Sequence, residues 1–250
     1  TEIYTLSLHD ALPICVIAEM GGKNAVIVDA NADLDEAIKG IIASAFSYAG
    51  QKCSAASRVI VLDALHERLM ERLIEAARSK GVGPAEEPTT AIPPVIDARA
   101  RDAILKYIEI GRQEAKCVLA VDTQRLVQET GGYYVGPHVF DDVPPSARIA
   151  REEIFGPVLP ILPYKSDDEV VSRANDTPYG LASYVQSGSQ ERARGIAAQM
   201  RSGNVYINYP AWDAGAPFGG YKQSGNGREY ADFGLEEFLE IKGTVGYAAA

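Results

Sequence analysis

The sequence has little with which to staple itself, hold a metal or enter a membrane. Its 250 residues include three cysteines, three histidines and one tryptophan. Cys15, Cys53 and Cys117 are odd in number and widely spaced, a poor basis for a disulfide framework. Neither CxxC nor HExxH occurs, and His9, His66 and His138 lie far apart, so no metal site is expected. No apolar run approaches the roughly 18 residues of a membrane-spanning helix. No basic stretch followed by an apolar one opens the chain, so no secretory signal is read and a reducing cytoplasm is the expected compartment. Positive charge is scarce as well. With 24 Lys and Arg against 34 Asp and Glu, the formal net charge is −10. No Lys/Arg cluster offers nucleic-acid phosphates a basic face.

What is present is ordinary globular composition, 46% hydrophobic and 23% charged, which argues against disorder. Residues 34–48 carry apolar side chains at helical spacing, with Asp33 placed to cap them. RVIVL at 58–62 reads as a buried strand, and 64–80 as an amphipathic helix ending at Gly81. A second long helix is expected over 97–115, then a short apolar run at 117–121 and a strand-like GYYVGPHVF. Ser166 caps a helix over 166–175. Strands at 181–186 and 203–208 flank a helix at 189–200. Helices alternating with short apolar strands indicate an α/β domain with a largely parallel sheet. Residues 209–228, with Pro210, Pro217 and several glycines, read as a long binding loop. Residues 1–14 show no period and no cap, and read as an unrelated lead-in.

Taken singly, the reactive groups have bland readings. Cys53 follows Gly50-Gln51-Lys52 at a helix–strand junction, where a lone cysteine is most often a small buried hydrophobe. Lys52 beside it would favour the thiolate. Glu19 precedes Gly21-Gly22, a setting for a partly desolvated general base, yet surface carboxylates are commoner. Glu152-Glu153-Ile154-Phe155-Gly156-Pro157 sets acids and an aromatic ahead of a turn. The run 219–227 is Gly-rich but fits neither GxxxxGK[ST] nor GxGxxG.

Together and in order, these segments resemble the aldehyde dehydrogenase superfamily. EMGGKN at 19–24 is similar to its general-base motif and GQKCSA at 50–55 to its nucleophile motif, 34 residues apart as in the family. EEIFGPV at 152–158, NDTPYGLA at 175–182, GNVYIN at 203–208 and PFGGYKQSGNGRE at 217–229 follow in family order. The resemblance implies that Cys53 is the nucleophile and Glu19 the base. It implies that Glu153 and Phe155 hold the nicotinamide end of NAD (or NADP), that Phe218 lines the aldehyde pocket, and that Asn208 supports the active-site loop from behind.

The first two thirds, with AEMGGKNAVIVDANADLDEA and GQKCSAASR, are most similar to L-glutamate γ-semialdehyde dehydrogenases of proline catabolism. There Ser54 would meet the substrate carboxylate. The tail NYPAWDAGAPFGGYKQSGNGRE is closer to other aldehyde dehydrogenases. The implied architecture is a catalytic α/β domain over 15–238, without a Rossmann cofactor domain, then an oligomerisation strand and tail over 239–250. Partners would be a small aldehyde and further copies of the chain, as homodimer or homotetramer, with no nucleic acid, membrane or metal. Without the cofactor half, the chain alone is expected to turn over no aldehyde. A cofactor-free thiol esterase and an inactive remnant are the competing readings.

Overall fold

The computed structural model describes residues 16–246. The lead-in 1–14, Cys15 and the last four residues lie outside that range. In chain order the elements begin with β1 (Ala18–Glu19), β2 (Asn24–Val28), α1 (Leu34–Phe46), β3 (Ala56–Leu62), α2 (Asp63–Arg78), α3 (Ala98–Glu114) and β4 (Lys116–Ala120). Next come α4 (Gln124–Thr130), β5 (His138–Asp141), α5 (Arg148–Arg151), β6 (Val158–Tyr164), α6 (Asp167–Asn175), β7 (Tyr179–Gly180) and β8 (Ala182–Gln186). The chain continues through α7 (Gln190–Ala197), β9 (Asn204–Ile207), β10 (Tyr221–Lys222), β11 (Gly225–Asn226) and α8 (Ala231–Glu236).

Seven strands form one sheet in the order β4-β5-β6-β3-β2-β8-β9. All its pairings are parallel except β4 with β5 at the edge. Helices cover both faces, so the central strands are buried on both sides and lose the polar alternation of a one-sided sheet. In β2, Val26 and Val28 face the core under α1, α2 and α3, while Ala25 and Ile27 face the core under α6 and α7. The expected α/β class with a mostly parallel sheet is what forms.

The caps form where the residue types place them. Asp33 Oδ1 accepts from the N–H groups of Asp35 and Glu36, and Ser166 Oγ from that of Glu169. Two expected elements come out shorter. GYYVGPHVF yields a strand only from His138, because Pro137 has no N–H to donate to a ladder. Residues 239–246 form no strand; among the described residues no strand pairs with them, and Ile241 and Val245 are fully exposed. The long loop after β9 is pinned rather than free, since β10 pairs with β7 and β11 with β1.

At the carboxyl edge of the sheet a buried carboxylate ties four elements together. Asp29, just past β2, accepts from the hydroxyls of Tyr164 (2.7 Å) and Ser187 (3.1 Å) and from Arg192 Nη2 (3.0 Å). Arg192 on α7 also grips Asp167 on α6. Burial pushes the Asp29 carboxyl up, but the hydrogen bonds from Arg192 and Tyr164 outweigh it and leave it below the usual carboxylate range.

Replacing Arg192 by Met leaves that buried charge short of a partner. Breaking a buried pair costs about 3–5 kcal/mol. Arg192 is 33% exposed and partly screened, so a loss of about 2 kcal/mol is expected in urea unfolding at neutral pH. A carboxyl whose folded pKa is depressed stabilises the fold above its unfolded pKa and stops doing so as pH falls through the folded value. The gap between parent and R192M therefore closes below about pH 4.

Candidate active site

The motif residues gather at the amino edge of the same sheet, each just before a strand. Glu19 to Lys23 lead into β2, Cys53 into β3 and Glu153 into β6. Sequence makes this arrangement, because polar and glycine residues precede each apolar strand and the chain turns where the apolar run begins. In a sheet of parallel strands those turns all fall on one edge.

One side chain organises the edge. Asn24, buried at the start of β2, donates through Nδ2 to the carbonyls of Cys53 and Ala55, both at 2.7 Å. Its Oδ1 accepts from the Ala182 N–H on β8 at 3.1 Å. The two glycines before it make room. A Cβ on Gly22 would lie 2.7 Å from the Cys53 carbonyl oxygen, and one on Gly21 would collide with the Glu153 carboxylate. Glu153 Oε1 accepts from the Gly22 N–H at 2.8 Å, which anchors the carboxylate beside the cysteine turn. Ser224 locks the other side: its fully buried hydroxyl donates to the Gly21 carbonyl (2.7 Å) and accepts from the Gly180 N–H (2.9 Å).

The cysteine is approached through strained backbone. Tyr48 (φ 54°), Ala49 (φ 55°) and Gly50 (φ 71°) are left-handed in succession. For the two non-glycines this costs about 1–3 kcal/mol each. Glycine is required at 50, since a Cβ there would strike the Gly156 carbonyl. Phe155, at φ 57°, presents a 45% exposed ring. It lines a narrow cleft with Gly22, Gly50, Lys52 and Glu153. A larger cavity of about 600 Å³, lined in part by Arg101, Arg112, Tyr134 and His138, contains none of the motif residues.

The electrostatics correct one expectation. Burial pushes the Cys53 thiol up, and the charges of Glu19 and Glu153 push it further. The Ser54 backbone N–H and the charge of Lys52 oppose this without overcoming it. Lys52 therefore does not make a resting thiolate, because desolvation outweighs an adjacent exposed charge. Glu19 is also raised, by burial and then by Glu229, against Arg228. A carboxylate with raised proton affinity whose charge acts on the thiol suits a general base.

The adjacent Glu152 and Glu153 have opposite fates. Hydrogen bonds from Arg148 and Tyr107 bring Glu152 down to about 2, whereas burial raises Glu153 against the Gly22 N–H and Lys23. Lys23 is itself buried, without a hydrogen-bond partner among the described residues, and burial and then Arg58 bring it down to about 7. The Arg58 guanidinium is buried too. It donates to the carbonyls of Lys23, Arg173 and Ala174 at 3.1, 3.0 and 2.6 Å. The last two lie in the final turn of α6, where unsatisfied carbonyls carry partial negative charge.

Not every expected residue joins the cluster. Phe218 lies on the loop after β9, its backbone paired with Glu229 and its ring 6.2 Å from Tyr230. Tyr230 meets Trp212 edge-on at 5.9 Å, and neither of these two was expected. Asn208 lies at the opposite, carboxyl edge. Its side chain exchanges two 3.0 Å hydrogen bonds with the Ser187 backbone and does not touch the cysteine turn. His66 and Asp141 meet at 2.7 Å and join α2 to β5.

Residues 6–244 match the model of the aldehyde dehydrogenase family. The chain belongs to that family. It is 43% identical over 228 residues to retinaldehyde dehydrogenase 3 of Mus musculus, covering 91% of this chain and 44% of that one. It is 43% identical over 234 residues to a 3-succinoylsemialdehyde-pyridine dehydrogenase of a Pseudomonas species, covering 93% and 49%. Among solved structures, the aldehyde dehydrogenase KauB of Pseudomonas aeruginosa superposes with TM-score 0.86 at 38% identity, over 90% of this chain and 46% of that one. The 1-pyrroline-5-carboxylate dehydrogenase of Thermus thermophilus gives 0.84 at 43% identity, over 90% and 44%. The chain thus spans about half the length of the aldehyde dehydrogenases it matches.

Asn24, Ser224 and Arg58 were missed as site-builders. Asn24 had a signal, an amide directly after two glycines and before an apolar strand. The other two act across the fold, over separations that no local pattern reports.

Gly21→Ala should displace the Glu153 carboxylate and relieve one of the two negative charges on Cys53. The pH midpoint of Cys53 alkylation by iodoacetamide is expected to fall by about half a unit. A midpoint at or above that of the parent would show that Glu153 does not act on the thiol.

Proposed function

We propose that this protein is the nucleophile-bearing part of an enzyme that oxidises an aldehyde to a carboxylic acid with NAD(P)+. The observation that carries the reading is that Cys53, Glu19 and Glu153 lie at one edge of the sheet, where the charges of both carboxylates act on the thiol. The resting thiol first loses its proton to Glu19, whose raised proton affinity fits that task. The Cys53 sulfur then adds to the carbonyl carbon and forms a thiohemiacetal. Bound NAD(P)+ supplies the hydride acceptor for the step that leaves a thioester on Cys53. Glu19, part-exposed and able to return its proton to solvent, then takes a proton from water as it attacks the thioester. The acid leaves and the thiol is restored.

Glu153 and Phe155 are the residues proposed to meet the nicotinamide end of such a cofactor. Glu153 is an anchored carboxylate able to accept from ribose hydroxyls, and Phe155 offers an exposed ring face beside it. Related proteins solved with NAD+, among them an indole-3-acetaldehyde dehydrogenase, support this cofactor class. The chain alone is further proposed to turn over no aldehyde with NAD+, and steady NADH formation by it would overturn that.

For the substrate we propose L-glutamate γ-semialdehyde, with Ser54 meeting its carboxylate and Phe218 lining the aldehyde pocket. The 43% identity to a 1-pyrroline-5-carboxylate dehydrogenase supports it. Retinaldehyde and betaine aldehyde dehydrogenases at similar identity make those aldehydes the comparison substrates. The exposed tail over 239–246 is proposed to pair with a second subunit, which would give an otherwise open edge its partner.

An activated ester tests the acyl half of the reaction without cofactor. p-Nitrophenyl acetate is expected to acylate Cys53 once per chain, as read by intact mass, and C53S should stay unmodified. In E19Q the acyl-enzyme should accumulate, with deacylation slowed about 100-fold or more. Deacylation of E19Q at the parent rate would remove Glu19 from the role of base.

A further inference from the structure

The turn that carries Cys53 has three consecutive carbonyls, and each is held by a side chain. Asn24 takes those of Cys53 and Ala55. The one between them, of Ser54, accepts from the Tyr184 hydroxyl at 2.7 Å. Tyr184 comes from β8, 130 residues away in sequence. Nothing in the family motifs that flank it requires a hydroxyl there.

Tyr184 is braced on both sides. Its ring stacks on Tyr206 at 5.3 Å and 20°, and on Tyr209 at 5.9 Å and 23°. Tyr209 follows Asn208, and both are left-handed, at φ 46° and 51°. The two Asn208 bonds to Ser187 fix that reversal and thereby the Tyr209 ring. On its far side the ring fills the space that Gly40 of α1 leaves open, where any Cβ would collide with it. The stack therefore runs from the carboxyl end of β9, past α1, to the cysteine turn. This is the path by which Asn208 reaches Cys53.

The hydroxyl has a consequence for the sulfur. The Ser54 N–H favours the Cys53 thiolate, so the setting of Ser54 bears on the sulfur. Ser54 has one peptide plane on each side. Asn24 fixes the first through the Cys53 carbonyl, and Tyr184 fixes the second through the Ser54 carbonyl. Freeing either lets φ and ψ of Ser54 drift and changes the backbone around the sulfur.

We propose that Tyr184 is a positioning residue for Cys53, its hydroxyl holding the Ser54 carbonyl and with it the backbone of the turn that sets the nucleophilic sulfur. The inference rests on the reading of Cys53 as nucleophile. Burial, and then Tyr206, raise the Tyr184 phenol to about 12, so it remains a donor through the working range of pH.

The test is alkylation of Cys53 by iodoacetamide across pH in the full chain, with the site read by peptide mass. Y184F keeps the ring stack and removes only the hydroxyl. Its alkylation midpoint should rise by about half a unit or more, which slows the reaction about threefold below the midpoint. Y206F removes a neighbouring hydroxyl from the same stack, and its profile should track the parent. A general loosening of the fold would move both variants alike and overturn the proposal, as would a Y184F profile that superimposes on the parent. Y184M fills the same slot without a hydroxyl and decides the matter if Y184F fails to fold. Failure of the nucleophile assignment is a separate result, an absence of ester acylation in the parent, and it leaves the alkylation comparison readable.

Discussion

The side-chain amide of Asn24 holds the functional edge of the sheet together. With two donated bonds and one accepted bond, it joins the first residue of β2 to the turn before β3 and to the backbone of β8. Those three strands lie side by side at the centre of the sheet. Two of these bonds are buried and the one to Cys53 part-buried, and leaving a buried group unsatisfied costs about 1–3 kcal/mol. The rest of the site follows from this joint. The glycines at 21 and 22 let Glu153 and the Cys53 carbonyl approach it, Ser224 clamps the glycines, and Tyr184 completes the hold on the turn.

The two edges of the sheet divide the charged work. At the amino edge, buried cations are balanced by indirect means: Arg58 by the carbonyls ending α6, and Lys23 by a fall in its proton affinity. Glu19 and Glu153 there are pushed up by burial, which suits acid–base chemistry. At the carboxyl edge, Asp29 is fully hydrogen-bonded, ion-paired and pushed down, which suits structure. Ligands of open α/β sheets usually lie at the carboxyl edge, near a topological switch point. In this chain the Asp29 clamp fills that edge and the reactive groups use the other.

Sequence made much of this legible. Period and capping located the long helices, and the order of EMGGKN, GQKCSA and EEIFGPV gathered Glu19, Cys53 and Glu153 before the fold was seen. The misses have physical causes. Lys52 is adjacent to Cys53 in sequence, but adjacency says nothing of the burial that decides the thiol. Tyr184 reaches Ser54 across 130 residues, and Gly22 reaches Glu153 across 131, contacts that only the assembled sheet creates. Asn208, expected to support the active-site loop from behind, lies at the carboxyl edge, and a strand pattern does not tell which end of a strand faces the chemistry. The tail over 239–246 carries strand-forming residues, yet a strand needs a partner strand, and none of the described residues supplies one.

The most direct measurement concerns Asn24. Leucine in its place has similar volume and no amide. In N24L, urea unfolding should show a loss of about 2–4 kcal/mol for the buried carbonyls left unpaired, and amide exchange at Ser54 and Ala55 should quicken while that of the β5–β6 ladder stays protected. Parent-like stability together with parent-like exchange at those two residues would contradict the account, because the cysteine turn would then be holding its shape without the joint on which the rest is said to depend.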